Sequence, residues 1–305
     1  MSWKGMKVLV TGASGFIGRY LVDALVKEGA EVAALSTGNT NAANTDNVKQ
    51  IKADITDPAS IKGICRDIDV VYHLAAISNV VKAIQNPILT LNTNTFGTAS
   101  LIEDSRVSGV KKFIYVSSAH VYGVPLYLPI DETHPVMPRE PYAASKIASE
   151  KIVESYGNAY GMGYAIIRPF NIYGPGQDES FLIPGVVSQA LKNKKIKVGN
   201  VEPTRDFLYV SDCIKGFLFI GKKGSGTINI GSGKETRISE VVESIRDIVD
   251  PSIPITSEIA LKRTGNVEIS RMCACNTRLK ELGWEQEIEL KEGLTMTVRD
   301  SQNTA

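Results

Sequence analysis

A glycine triplet set between a strand and a helix constrains this chain more than any other feature. Lys7 to Thr11 is a β-branched, strand-like run, and Thr11-Gly12-Ala13-Ser14-Gly15-Phe16-Ile17-Gly18 follows it directly. An amphipathic stretch from about Ile17 to Glu28 then reads as a helix stopped by Gly29. Each glycine answers a steric demand. Gly12 makes the tight turn, Gly15 lets backbone approach a pyrophosphate, and Gly18 lets the helix pack on the strand. The helix N-terminus offers unpaired N–H groups and the positive end of its dipole to the phosphates. Glycines alone could mark only a turn; in the order strand, turn, helix they predict a dinucleotide site, lined also by Phe16 and Ile17.

The rest of the first half has the same texture. Glu31 to Leu35, a short run QIKADI from Gln50, Val70 to Leu74 and Lys112 to Ser117 read as further strands, with helices over Asn94–Val107 and Tyr142–Tyr160. Strands alternating with helices predict an α/β fold, a Rossmann-type doubly wound parallel sheet. After Arg168 the pattern is broken by Pro169, Gly174, Pro175, Gly176 and Pro184, and a helix-like stretch follows near Val186–Lys194. The expected division is a dinucleotide-binding Rossmann domain over residues 1–168 and a smaller C-terminal α/β lobe for substrate over residues 169–305. Segments near 205–230 are expected to return to the first domain. Asn39 to Asn47 reads as a polar loop.

Charge narrows the partners. With 34 basic against 33 acidic residues the net charge is +1, which gives no electrostatic reason for a nucleic-acid or membrane-surface partner. No apolar run approaches the roughly 18 residues of a membrane span. The opening Met-Ser-Trp-Lys-Gly-Met lacks signal-peptide anatomy, so a cytoplasmic protein is expected. Of Cys65, Cys213, Cys273 and Cys275 only the last two are close, with no histidine nearby, and reduced thiols without a metal site are expected.

Several positions should complete the cofactor site. Asp54 and Ile55 follow the third strand, where a carboxylate can accept from an adenine amino group. Leu74, Ala75 and Ala76 leave room beside the cofactor, while His73 reads as a packed strand-end residue. An acid at the end of the second strand would bind the ribose hydroxyls of NAD. Ser36 stands there instead, and no Arg or Lys lies between Ser36 and Val48 to attract a 2′-phosphate. NAD is expected, with NADP left open.

The chemistry points to Tyr142-Ala143-Ala144-Ser145-Lys146, which puts Tyr142 and Lys146 on one helix face, downstream of the strand-end Ser117 and Ser118. A free phenol titrates near pH 10 and is a weak base at neutrality. A neighbouring ammonium, with a positive nicotinamide ring, should favour phenolate and lower that value. The serine hydroxyl would hold the reacting oxygen in line. A surface i, i+4 pair is the plainer account of Tyr142 and Lys146, outweighed by the upstream glycine turn and serine.

These residues resemble the extended short-chain dehydrogenase/reductases, and more closely the nucleotide-sugar epimerases and dehydratases. The resemblance runs over nearly the whole chain: T-G-A-S-G-F-I-G, N-T-F-G-T from Asn94, S-S-A-H-V-Y-G from Ser117, Y-A-A-S-K, R-P-F-N-I-Y-G-P-G from Arg168, R-D-F-L-Y-V-S-D from Arg205, N-I-G-S-G from Asn229 and L-G-W from Leu282. It implies Ser118, Tyr142 and Lys146 as the catalytic trio and Asn94 as a residue lining the cofactor or active site. Asn171 and Leu182 would touch the substrate, and Arg205 and Arg263 would clamp its diphosphate, as guanidinium forks do. A homodimer through the helices near Asn94–Ser108 and Tyr142–Tyr160 is also implied. Where dehydratases of the family carry an Asp-Glu pair, this chain has Ala119 and His120, which argues against water elimination. Val198 replaces an aromatic that stacks on the base, and Asn266 replaces the acid of R-x-G-D. Four residues on, Ser270 stands where the 4-epimerases gate the C2 substituent. The resulting expectation is NAD-dependent 4-epimerisation of a UDP-sugar. The rivals are reduction of a 4-keto-6-deoxy nucleotide sugar and a non-catalytic dinucleotide-binding regulator.

Overall fold

In the computed structural model, residues 2–38, 48–257 and 269–304 are described. The chain runs β1 (Lys7–Thr11), α1 (Phe16–Lys27), β2 (Glu31–Ser36), β3 (Val48–Lys52), α2 (Pro58–Ile61), β4 (Val70–His73), α3 (Val80–Gln85), α4 (Pro87–Leu91), α5 (Gly97–Val107), β5 (Lys112–Val116), α6 (Pro141–Tyr160) and β6 (Gly163–Pro169). The remainder is β7 (Asn171–Tyr173), α7 (Leu182–Ser188), β8 (Ile196–Val198), β9 (Thr204–Arg205), β10 (Phe207–Tyr209), α8 (Val210–Lys223), β11 (Gly226–Ile230), β12 (Thr236–Arg237), α9 (Ile238–Val249), β13 (Ile255–Ser257), α10 (Thr277–Glu281) and α11 (Leu290–Thr304).

Seven parallel strands form one sheet in the order β11-β6-β5-β4-β1-β2-β3. Successive side chains of a strand face opposite ways, so both faces of this sheet are apolar. Val8, Val10, Tyr72, Ile114 and Ile167 enter one core, shared with Leu21 and Leu25 of α1 and Phe217 and Ile220 of α8. Leu9, Val71, Phe113, Tyr115 and Ile166 enter the other, under Leu101 and Ile102 of α5 and Val153 of α6. The strand order reverses between β1 and β4, and open α/β sheets take their ligands outside the carboxyl ends of the strands at such a point. Gly12, Leu74 and Ser117 all follow those ends.

Two-stranded ribbons β7–β10, β9–β12 and β8–β13 make the smaller layer, backed by α7, α9 and α11. β11 returns to the edge of the large sheet through α8.

Three local readings shift. The helix expected from Asn94 opens as a π turn over Asn92–Phe96 before α5 begins. The one expected near 186–194 starts at Leu182 and ends in a second π turn, Gln189–Asn193. The strand expected to reach Leu74 stops at His73, although Leu74 N–H still donates to the Thr11 carbonyl of β1. Asn39 to Asn47, Arg263 and Asn266 lie outside the described residues.

Candidate active site

The glycine turn is closed by contacts that leave no room for side chains. Gly12 sits at φ +68°, and a Cβ there would come within 2.8 Å of Ala75 N. A Cβ on Gly18 would lie 2.1 Å from the Gly12 carbonyl oxygen. The N-cap of α1 is Gly15, with no side chain satisfying the first-turn N–H groups. Unclaimed donors in a bare backbone cradle fit a dinucleotide pyrophosphate.

His73 ties this cradle to the rest of the sheet. Ala75 N–H donates to Thr11 Oγ1, which is 2.7 Å from His73 Nδ1; His73 Nε2 is 2.9 Å from Thr98 Oγ1, whose proton goes to the Asn94 carbonyl. That sequence of donors sets the tautomer: Nδ1 accepts from Thr11 and Nε2–H donates to Thr98. Complete burial pulls the ring down to about 3, so it is neutral. Its packed role agrees with the sequence reading.

Asn94, expected to line the cofactor, spends its carboxamide within the chain. Oδ1 accepts from Ile77 N–H at 2.8 Å, and Nδ2 donates to the Ile77 carbonyl and to Ser145 Oγ. Its side chain therefore holds the segment after Ala76 against α6. Ser36 is buried and donates to the Gly38 carbonyl, closing the turn after β2. Asp54 is exposed, with Oδ1 occupied by the Thr56 N–H and hydroxyl. Ile55 is a core residue whose side chain abuts Gly97.

Ser118, Tyr142 and Lys146 converge where β5 meets α6, and all three are buried. Pro141 occupies the first position of α6, and Glu140 caps it by accepting from Tyr142 and Ala143 N–H at 2.6 and 2.9 Å. Ser118 accepts from His120 N–H and acts on the Tyr142 phenol, favouring its ionised form. Lys146 Nζ donates to the Val116 carbonyl at 2.8 Å and lies 5.8 Å from the Tyr142 ring centroid.

The lowered phenol expected from the sequence includes a positive nicotinamide ring beside it. In the protein alone the Tyr142 phenol is pushed up to about 12, chiefly by burial, with Ser118 opposing and the Glu140 charge adding. Burial likewise pulls the Lys146 amine down to about 7, against the Glu150 carboxylate. The spacing of Tyr142 and Lys146 carries no information on burial, and burial is the largest influence on both.

His120 lies beside the trio, its ring edge-on to Tyr142 with centroids 6.0 Å apart and Nδ1 3.9 Å from Glu140 Oε1. Glu140 was not singled out from the sequence; an acid immediately before a Pro at the start of a helix was its signal. Glu150 was also missed, although its spacing from Lys146 repeats that of Lys146 from Tyr142.

Asn171, Arg205 and Ser270 are tied to β9 and β10. Asn171 N–H donates to the Asp206 carbonyl, and Asn171 pairs with Phe207 two residues beyond Arg205. Arg205 is half-buried, with Nη1 on the Thr204 carbonyl. The Ser270 carbonyl accepts from Thr204 N–H, which places exposed Ser270 with this group. Ser270 also lines a cavity of about 570 Å³ with Thr204, Glu235, Arg237 and Arg271. Leu182 is partly buried at the start of α7, packed on the main core. Among the described residues no cluster of His, Cys, Asp or Glu could hold a metal ion.

A dinucleotide cradle at the switch point of a parallel sheet, facing a buried Ser, Tyr and Lys, defines an enzyme that couples hydride movement to proton transfer. The chain belongs to the NAD dependent epimerase/dehydratase family, whose model matches residues 8–231. It is 36% identical to a UDP-glucose 4-epimerase of Mycolicibacterium smegmatis over 98% of this chain and 99% of that one. It is 32% identical to a GDP-6-deoxy-D-mannose reductase of Pseudomonas aeruginosa over 96% of each. It also superposes, with a TM-score of 0.92, on a UDP-N-acetylglucosamine 4-epimerase from Methanobrevibacter ruminantium solved with UDP-N-acetylmuramic acid. That match covers 99% of this chain and 100% of the other at 30% identity. NAD is the cofactor of the family, and Gly12, Gly15 and the open N-terminus of α1 would hold its pyrophosphate.

Proposed function

We propose that this chain is an NAD-dependent 4-epimerase of UDP-sugars. The observation that carries the reading is the buried Ser118–Tyr142–Lys146 trio with an alanine, Ala119, where an eliminating enzyme needs an acid. NAD bound in the cradle supplies reversible acceptance and return of hydride at the sugar's C4. Ser118 orients the C4 oxygen, and Tyr142 takes the C4 hydroxyl proton and later gives it back. Charged Lys146 offsets the cost of the phenolate. Asn171 and Arg205 hold the diphosphate while the 4-keto sugar turns about it, so that the other face meets the cofactor. Interconversion of UDP-glucose and UDP-galactose, with NAD released only on denaturation, is the expected result. A protein purified empty that consumes NADPH on a 4-keto sugar would favour the reductase reading, which the neutral Ser36 supports.

Ser270 extends the proposal to the sugar. A serine leaves out the volume of a phenol ring, enough for an acetamido group at C2. UDP-N-acetylglucosamine is the expected second substrate, and Ser270→Tyr should abolish its turnover while sparing UDP-glucose. A wild type that turns over UDP-galactose but never its N-acetyl counterpart, in paired product assays, removes Ser270 from this role.

A second copy of this chain is the proposed partner. Ile88, Leu89, Phe96, Val107 and Tyr160, from α4, the first π turn, α5 and α6, are each more than half exposed. Apolar side chains on neighbouring helices suit a helical bundle between two subunits. Sedimentation should give twice the 33.1 kDa chain mass. No helix among the described residues is long and apolar enough to cross a membrane.

A further inference from the structure

The end of β5 meets α6 through three consecutive residues. The Val116 carbonyl takes the Lys146 ammonium, the Ser117 hydroxyl donates to Glu150 Oε1, and Ser118 acts on the Tyr142 phenol. The first and third of these contacts belong to the trio; the middle one is unexplained by it. Glu150 is fully buried, and Arg168 grips it in a bidentate fork, Nε to Oε1 at 2.9 Å and Nη2 to Oε2 at 2.6 Å. Arg168 Nη1 donates onward to Tyr122 OH, which donates to Asn229 Oδ1.

A buried ion pair is weak evidence for stability, since desolvation offsets most of its attraction. This one sits one helical turn beyond a buried lysine whose charge the chemistry needs. The groups facing Lys146 are the Tyr115 ring, 4.9 Å from Nζ, the Tyr142 ring, neutral His73 from β4, and Glu150. Among the described residues Glu150 is the carboxylate that acts on Lys146, and its field opposes the loss of the Lys146 proton that burial favours. Glu140 acts on Tyr142 instead.

We propose that Glu150, pinned by Arg168 and Ser117, is a positioning residue that keeps Lys146 charged and seated on the Val116 carbonyl. Through Lys146 it sets the ease with which Tyr142 gives up its proton.

The test titrates Tyr142 in the NAD-loaded protein by tyrosinate absorbance, taken as the difference from Tyr142→Phe. In Glu150→Gln the midpoint should rise by at least about one pH unit, a tenfold change in proton affinity. The acid limb of turnover should move with it, and activity should return at alkaline pH. A merely structural role would lower turnover equally at every pH. Because Glu150→Gln leaves Arg168 without its partner, Glu150→Gln/Arg168→Met serves as the neutral counterpart and should show the same rise. A folded variant with an unmoved midpoint overturns the proposal, and so does failure of both variants to fold, which would make the pair structural. The turnover arm rests on the epimerase reading and the titration arm does not. A wild type inactive on UDP-sugars would therefore sink that reading and leave the Tyr142 midpoint to decide this one.

Discussion

Tyr142→Phe should fold, bind the dinucleotide and turn over at least about a hundredfold more slowly, the scale of lost general acid–base catalysis. The substitution is conservative for the fold. Glu140 caps α6 through the backbone N–H groups of Tyr142 and Ala143, which phenylalanine keeps. The lost hydroxyl leaves Ser118 still accepting from His120 N–H, so no buried acceptor is stranded. What goes is the atom that takes the C4 proton in the proposed reaction. Steady-state kinetics beside a thermal melt check it, and near-normal turnover with an unchanged melt would remove Tyr142 from catalysis.

Gly18→Ala should cost the cradle its shape. The added carbon would sit 2.1 Å from the Gly12 carbonyl oxygen and 3.0 Å from Ala13 Cα, against backbone that cannot swing aside. Relief means moving α1 off the turn or opening Gly12, which is itself wedged against Ala75 N. Either displaces the first-turn N–H groups from the pyrophosphate. Overpacking of this kind costs roughly 1–3 kcal/mol, and where binding must restore the cradle NAD affinity measured by calorimetry should fall by about one to two orders of magnitude. Unchanged affinity in the folded variant would place the pyrophosphate elsewhere.

What could be read from the sequence depended on local spacing. The glycine turn needs only its own residues and two flanking elements, and Tyr142 and Lys146 share a face through helical periodicity alone. The parallel strands showed as short β-branched runs because both sheet faces are buried. The π turn at Asn92–Phe96 has no such signature. Asn94 was read as lining the cofactor, yet its partners are Ile77 and Ser145, 17 and 51 residues away. The spacing of Tyr142 and Lys146 shows nothing of their burial, which in the protein alone raises the phenol and lowers the amine. Glu150 lay in plain view at helical spacing, but its meaning depends on Arg168, which arrives from β6.

His73 has a consequence for how this protein meets acid. With Nδ1 accepting from Thr11, a second ring proton would point at a hydroxyl already committed as a donor. The folded chain refuses that proton down to about 3, whereas a free histidine takes one near 6.5. Between those values the unfolded chain binds more protons than the folded one, so stability is full above about pH 6.5 and drains as pH falls, at up to about 1.4 kcal/mol per unit for this ring. The cradle held by Thr11 thus keeps its geometry for as long as the sheet survives. Acidification thins the population of intact molecules while those that remain bind the dinucleotide as before.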